Sequence, residues 1–347
     1  MTDEGDRRGF AVLGWLVVFL LVTGLFSRAL GLHWVQEVEW PTDLYALGRL
    51  ERPSPVDVGI VGSSRSHYGL APTAIDACLA RTAGRVTTTV SANRLAASLY
   101  ASDLVARELF SGERKPRALV VEVAPESLNA NHFELDYNVA STAGPSDTFE
   151  CIGAAVAGPP SLSACARPLV RGVENIAFWL HRPLTEHRHI TWMALYAGGG
   201  QYCFGLPGCD ARNADYDLRH QGRWQTRIDR VLPKVRTERF IDYEIDGGLP
   251  ARHFVALLDR AKAEGVAVHV VNLPVSEVYQ AEVPVEAYAE FLRWVPETTA
   301  AHGGAFVDLN VPEWRVRDRY IDPDHLNASG ARALSARVCA ELAGSVR

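Results

Sequence analysis

Positive charge is scarce in this sequence. Its 35 Lys and Arg residues are outnumbered by 41 Asp and Glu, the formal net charge is −6, and only Lys115, Lys234 and Lys262 are lysines. A chain with that balance offers no general cationic attraction for a polyanion, so no nucleic-acid partner is expected. The six cysteines include no C-x-x-C pair, and no histidine pair lies beside them. The ligand spacing of a structural zinc site is therefore missing, and no metal is expected. No segment repeats another, which argues against a stacked-repeat architecture. At 347 residues the chain is long enough to bury a substantial core.

One apolar run stands out, FAVLGWLVVFLLVTGLF at residues 10–26, preceded by Arg7-Arg8 and followed by Arg28 and Trp34. With Arg28 snorkelling to the interface the run is just long enough to span a bilayer. The arginine pair places the N-terminus in the cytoplasm and the rest of the chain outside it, with Trp34 at the outer interface. No A-x-A cleavage site follows, so the run reads as an uncleaved signal anchor rather than a removed leader. The even cysteine count suits an oxidising compartment. Cys203 and Cys209 enclose the short loop FGLPG, and Cys151 and Cys165 could bracket another.

The expected organisation is a cytoplasmic tail and anchor at 1–34, a proline-bearing linker at 35–55, and one α/β domain at 56–347. Strand candidates are VDVGIVG at 56–62, RVTTTVS at 85–91, ALVVEVA at 118–124, VAVHVVNL at 266–273 and GAFVDLN at 304–310. Helix-like stretches at 71–83, 95–109, 252–263 and 287–300 lie between them. That alternation predicts a mostly parallel five-stranded sheet covered on both faces. The stretch from about 130 to 248 is too long for one crossover. It reads as a partly helical insertion that either caps the domain or forms a substrate or partner surface.

Ligands of open α/β sheets collect beyond the carboxyl ends of the strands. Immediately past the first strand stands Gly62-Ser63-Ser64-Arg65-Ser66-His67. A serine at such a junction is exposed, with backbone N–H groups nearby to face a developing anion. Serine and glycine are also ordinary turn residues, so this segment alone leaves Ser63, Ser64 and Ser66 open as nucleophiles. Arg65 is either a carboxylate or phosphate ligand at the pocket mouth or an ion-paired residue. Near the C-terminus, Asp322-Pro323-Asp324-His325 precedes a helix candidate. Its spacing brings a carboxylate to one imidazole nitrogen while the other points toward a serine. His67 is the rival base. Glu122 lies inside a strand candidate, where it faces an edge or a polar cleft; Asp308 reads as a sheet-end structural carboxylate, and Asn272 and Ser276 flank a strand exit, where they line the site or serve the turn.

Together the two loops resemble the SGNH, or GDSL-like, hydrolase superfamily. The resemblance is strongest to its membrane-anchored members in O-acylation of cell-envelope polymers, the alginate O-acetylation and teichoic acid D-alanylation proteins. Gly62-Ser63-Ser64 matches the family's Gly-Asp-Ser block and implies Ser64 as nucleophile. Asp322 and His325 match its late Asp-x-x-His block, implying orienting acid and base. The resemblance covers roughly 56–130 and 250–343 and implies a three-layer sandwich with no metal or organic cofactor. It also implies an acyl donor, a carbohydrate or polymer acceptor, and a multi-spanning membrane acyltransferase as partner. Two blocks depart from the pattern. Ser91-Ala92-Asn93-Arg94-Leu95 lacks the usual glycine, which leaves Asn93 as a polar candidate for the oxyanion hole. Ala124-Pro125-Glu126-Ser127 replaces Gly-x-Asn-Asp, and the asparagine donor goes with it. The expected function is an extracytoplasmic serine acyltransferase or esterase, the alternative a catalytically degenerate polysaccharide-binding or scaffold domain.

Overall fold

A computed structural model of the chain describes residues 15, 18–19, 21–22, 56–84, 86–93, 97–111, 115–132, 202, 204–205, 208–221 and 224–345. Two compact units divide the chain, Asp43–Asn138 with Gly199–Arg347 and Met1–Thr42 with Val139–Gly198. In the second unit Trp15, Val18, Phe19, Leu21 and Val22 are helical, with exposed side chains. The rest of the expected anchor at 10–26 lies outside the described residues. Among those described, no helix is long and apolar enough to cross a membrane.

The first unit is α/β. Five of its described strands are β1 (Val58–Val61), β2 (Thr89–Ser91), β3 (Ala118–Glu122), β4 (Ala267–Asn272) and β5 (Ala305–Asp308). They form one sheet in the order β2-β1-β3-β4-β5, every pair parallel. All five run where the sequence predicts them. Their β-branched runs have no polar alternation because both faces are covered. Val58, Ile60, Val120 and Val271 point to one face, against Ile75 and Leu79 of α2 (Pro72–Ala83) and Leu334 and Val338 of α10 (Ala328–Leu342). Val61, Leu119, Val121 and Val270 point to the other. There they meet Leu109 of α3 (Leu99–Ser111), Phe254 and Leu257 of α7 (Leu249–Ala263), and Phe291 of α9 (Val285–Ala301).

Local chemistry sets where the elements bearing on the site begin and end. Proline opens α2, and Gly84, at φ 70°, closes it in the left-handed region that glycine adopts without strain. Asn327 caps α10 by accepting the Gly330 N–H at 2.9 Å. A six-residue helix, α1 (Ser64–Gly69), leaves β1 where the sequence reads only as a turn. Just before the insertion stands α4 (Pro125–Leu128), and among the described residues the insertion holds α5 (Cys209–Gln221) and α6 (Trp224–Lys234). Pro233 lies inside α6 and cannot donate a backbone hydrogen bond. The helix then widens into a π-helical turn at Val235–Arg239, closed by Phe240 N–H to Val235 O at 3.0 Å. Two 3₁₀ turns and a short antiparallel pair, β6 (Tyr320–Asp322) with β7 (His325–Leu326), complete the unit between β5 and α10.

Cys78 of α2 and Cys339 of α10 form a disulfide, a pairing that sequence spacing did not suggest because 261 residues separate the partners. Cys209 is also disulfide-bonded. Cys151, Cys165 and Cys203 lie outside the described residues.

Candidate active site

The loop after β1 is built on a buried carboxylate. Glu122, at the carboxyl end of the neighbouring β3, accepts from Ser63 N–H at 2.8 Å, Ser63 Oγ–H at 2.7 Å and Ser66 N–H at 2.9 Å. Gly62 makes this approach possible: a Cβ there would stand 2.5 Å from both Glu122 Cβ and Ser66 Oγ. Ser63 in turn caps α1, accepting the Arg65 N–H at 3.2 Å. Ser66 is fully buried, its hydroxyl donating to Ser63 O at 3.0 Å. Two of the three serines are therefore committed to the loop. Ser64, at the first helical position and partly exposed, is the one turned outward.

Ser64 meets the distant loop. Its Oγ lies 2.7 Å from His325 Nε2, and His325 Nδ1 lies 2.8 and 2.9 Å from the two oxygens of Asp322. Asp322 also accepts the backbone N–H of His325 at 2.9 Å and of Asp324 at 3.2 Å, so the carboxylate fixes the turn as well as the ring. The adjacent β4 exit holds this turn from below. Ser276 donates its N–H and its hydroxyl to Pro323 O, at 3.0 and 2.6 Å. Burial pulls the His325 pKa down, but the Asp322 and Asp324 carboxylates push it up and prevail, leaving it above its ordinary value. Asp322, Asp324 and His325 could group around a cation, their ligand atoms lying within 4.8 Å of one another. Here those atoms bond to one another, to Ser64 and to Arg239.

The other sequence candidates fall elsewhere. Arg65 is buried rather than at a pocket mouth, ion-paired with Glu126 and stacked over the Tyr279 ring at 4.9 Å. The Ala124-Pro125-Glu126-Ser127 segment thus supplies Arg65 with a counter-ion in place of the asparagine it lacks. Asn93 is wholly buried and donates Nδ2 to Ser91 Oγ at 2.8 Å; no bond among the described residues joins it to Ser64. His67 is buried, with its ring edge-on to Tyr68. Asp308 and Asn272 bond to each other at 2.8 Å at the ends of β5 and β4.

Sequence reasoning missed the side chains that surround the histidine. Tyr68, one turn after Ser64 on α1, sets its ring edge-on to His325, with centroids 5.0 Å apart, and stacks on Tyr216 of α5. Asp217 of α5 accepts the Ala328 N–H at the start of α10, at 3.1 Å. Glu126, Tyr279 and Asp324, all buried, form a polar array with the partly buried Arg239. Tyr279 OH donates to Glu126 at 2.6 Å, while Arg239 Nη1 donates to Tyr279 OH at 2.7 Å and to Asp324 at 3.0 Å. Burial alone would raise the Glu126 pKa, but the guanidinium groups of Arg65 and Arg239 lower it to about 2. No periodicity or motif marks Arg239, which stands in the insertion.

Chemically, the arrangement is a hydroxyl with a base on its proton and a carboxylate on the far side of that base. This geometry can deprotonate Ser64 as it attacks an electrophile and return the proton to a leaving group. Comparison of the chain with protein-family models finds no match, and comparison with curated proteins finds none either.

Proposed function

We propose that this protein is a membrane-anchored, extracytoplasmic serine acyltransferase or esterase acting on cell-envelope carbohydrate or polymer, with an SGNH-like three-layer domain. The observation that carries the reading is the 2.7 Å approach of His325 Nε2 to Ser64 Oγ, with Asp322 on the opposite ring nitrogen. Ser64 Oγ attacks the acyl carbonyl, and His325 takes the hydroxyl proton. As the tetrahedral intermediate collapses, His325 returns that proton to the departing group and the acyl chain stays on Ser64. A sugar hydroxyl or water, deprotonated by His325, then attacks the ester and frees Ser64.

Negative charge on the intermediate needs a donor. In the first turn of α1 the Arg65 N–H is held by Ser63 and the Ser66 N–H by Glu122. The Ser64 N–H has no acceptor among the described residues, and we assign it to the oxyanion. The Cys78–Cys339 bridge supports the extracytoplasmic placement, because structural disulfides persist in oxidising compartments. The run at 10–26 serves as the anchor, and a multi-spanning acyltransferase delivers the acyl group outward.

The test is intact-mass measurement of the full-length chain after incubation with p-nitrophenyl acetate. One acetyl increment is expected on the wild type and none on Ser64→Ala. An equal increment on both, or no increment on the wild type together with p-nitrophenol release no faster than from Ser64→Ala, rejects the reading in favour of a binding or scaffold domain. Adding candidate glycans to the acetylated protein then separates transfer from hydrolysis.

A further inference from the structure

We propose that Arg239, contributed by the insertion, is a positioning residue that holds the Asp324 carboxylate against the Nδ1 side of His325 and so tunes the base from outside the Ser64–His325–Asp322 array. The inference rests on the catalytic reading of that array and deepens it. Asp324 Oδ1 lies 3.5 Å from His325 Nδ1, a second carboxylate on the nitrogen that Asp322 already holds. Two acids beside one ring nitrogen repel each other unless one is neutralised. Arg239 supplies the neutralising charge, 3.0 Å from the other Asp324 oxygen.

Arg239 is itself fixed. Asn129, fully buried, donates Nδ2 to Arg239 O and Ile241 O, each at 3.0 Å, and accepts the Glu244 N–H at 3.2 Å. The π-helical turn is thereby tied to the end of α4. The guanidinium then spans Tyr279 OH and Asp324. Burial would raise the Asp324 pKa, but His325, Arg239 and Arg65 overcome it and keep the group ionised. Among the described residues, the groups that face the imidazole come from several elements. Asp322 comes from β6 and Asp324 from the turn after it; Ser64, Arg65 and Tyr68 come from α1, and Tyr216 of α5 stands behind Tyr68.

The role predicts opposite displacements from two neutralising changes. Asp324→Asn removes a negative charge facing His325 and weakens its hold on a proton. Arg239→Gln leaves the Asp324 charge uncompensated and strengthens that hold. A residue that merely supports the fold would move both variants the same way, or neither.

The experiment is an NMR titration of the full-length chain labelled with ¹⁵N-histidine, with the His325 signals assigned by their loss in His325→Gln. We expect the His325 proton affinity to fall at least about threefold in Asp324→Asn and to rise at least about threefold in Arg239→Gln. Arg239→Lys, which keeps the charge, is expected to stay near the wild type. Shifts in one common direction, or no shift in Asp324→Asn, overturn the proposal. Should Arg239→Gln not fold, Asp324→Asn and Arg239→Lys decide it alone. The titration reads the ring whether or not the protein turns over an ester, so failure of the catalytic reading, seen in the acetyl-mass experiment, is distinguishable from failure of this one.

Discussion

Ser64 Oγ and His325 Nε2 stand 2.7 Å apart across 261 residues of chain. Neither is held by the other alone. Glu122 clamps the turn on one side of Ser64, and Asp322 with Ser276 clamps the turn that carries His325. The contact is therefore preset by buried hydrogen bonds in both loops, which is the arrangement a nucleophile and its base need before substrate arrives.

The pH dependence of turnover follows from the ring's surroundings. On the proposed reading His325 is the base and must be neutral; the Asp322 and Asp324 carboxylates outweigh burial and hold its pKa above the ordinary 6.5. The acid limb of kcat/KM for p-nitrophenyl acetate is expected to have its midpoint above that value, with activity rising as pH rises through it. A midpoint at or below 6.5 contradicts the assignment of His325 as base in this environment. Because the folded pKa is raised, the ring's contribution to stability is full below the unfolded value and is lost as pH rises through the folded one. Activity and this part of stability therefore run in opposite directions with pH.

Glu122 and Gly62 give a second expectation. Glu122→Ala strips the acceptor from the buried Ser66 N–H and from the part-buried Ser63 N–H and hydroxyl, at a cost of about 2–4 kcal/mol. Glu122→Gln costs about 1 kcal/mol: its carbonyl can take both N–H groups, and its NH₂ can donate to a reoriented Ser63 hydroxyl. Gly62→Ala places a methyl 2.5 Å from Glu122 Cβ and Ser66 Oγ, so the loop must shift and carry Ser64 with it. Urea unfolding should rank Glu122→Gln above Glu122→Ala. In Gly62→Ala, kcat should fall by about tenfold or more, with KM little changed. Equal stabilities for Gln and Ala at position 122 argue against the clamp.

The sheet was legible because its strands are continuous β-branched runs flanked by helical stretches, a pattern that depends on local residues alone. Ser64, Asp322 and His325 were legible as candidates because each sits in a short loop beside a strand or a helix start. The segment itself left Ser63, Ser64 and Ser66 open and only the resemblance pointed to Ser64; the physical reason for that choice is Glu122, whose role as the shared acceptor exists only when β1 and β3 pair in register. Arg65 remained divided between ligand and ion pair for the same reason, since its partner Glu126 is 61 residues away. Arg239 left no trace, because its position depends on the π-helical turn after Pro233 and on Asn129 at the end of α4. The Cys78–Cys339 bridge was hidden by its span, whereas the nearer cysteines drew attention through short loops.

That bridge supports the last prediction. Cys78 and Cys339 join α2 to α10, the helices that follow Ser64 and His325 in the chain, across the same 261-residue separation as the Ser64–His325 contact. The bridge therefore closes nearly the same loop that the Ser64–His325 contact closes. A buried bond from Ala71 N–H to Ser335 Oγ, at 2.9 Å, and the apolar seam of Ile75, Leu79, Leu334 and Val338 join the same two helices. Because these contacts survive loss of the sulfur link, the fold should persist while its stability falls. Cys78→Ser with Cys339→Ala is expected to cost about 2–4 kcal/mol, lowering Tm by about 5–10 °C. Reduction of the wild type with dithiothreitol, which also opens the disulfide of Cys209, should lower Tm at least as far. Turnover at 25 °C, well below the transition, should change less than about threefold, since Glu122 and Asp322 still hold the two loops. An unchanged Tm refutes the bridge as a brace between the two helices. A collapse of turnover at a temperature where the variant is still folded means that the disulfide, rather than the loop hydrogen bonds, sets the distance from Ser64 to His325.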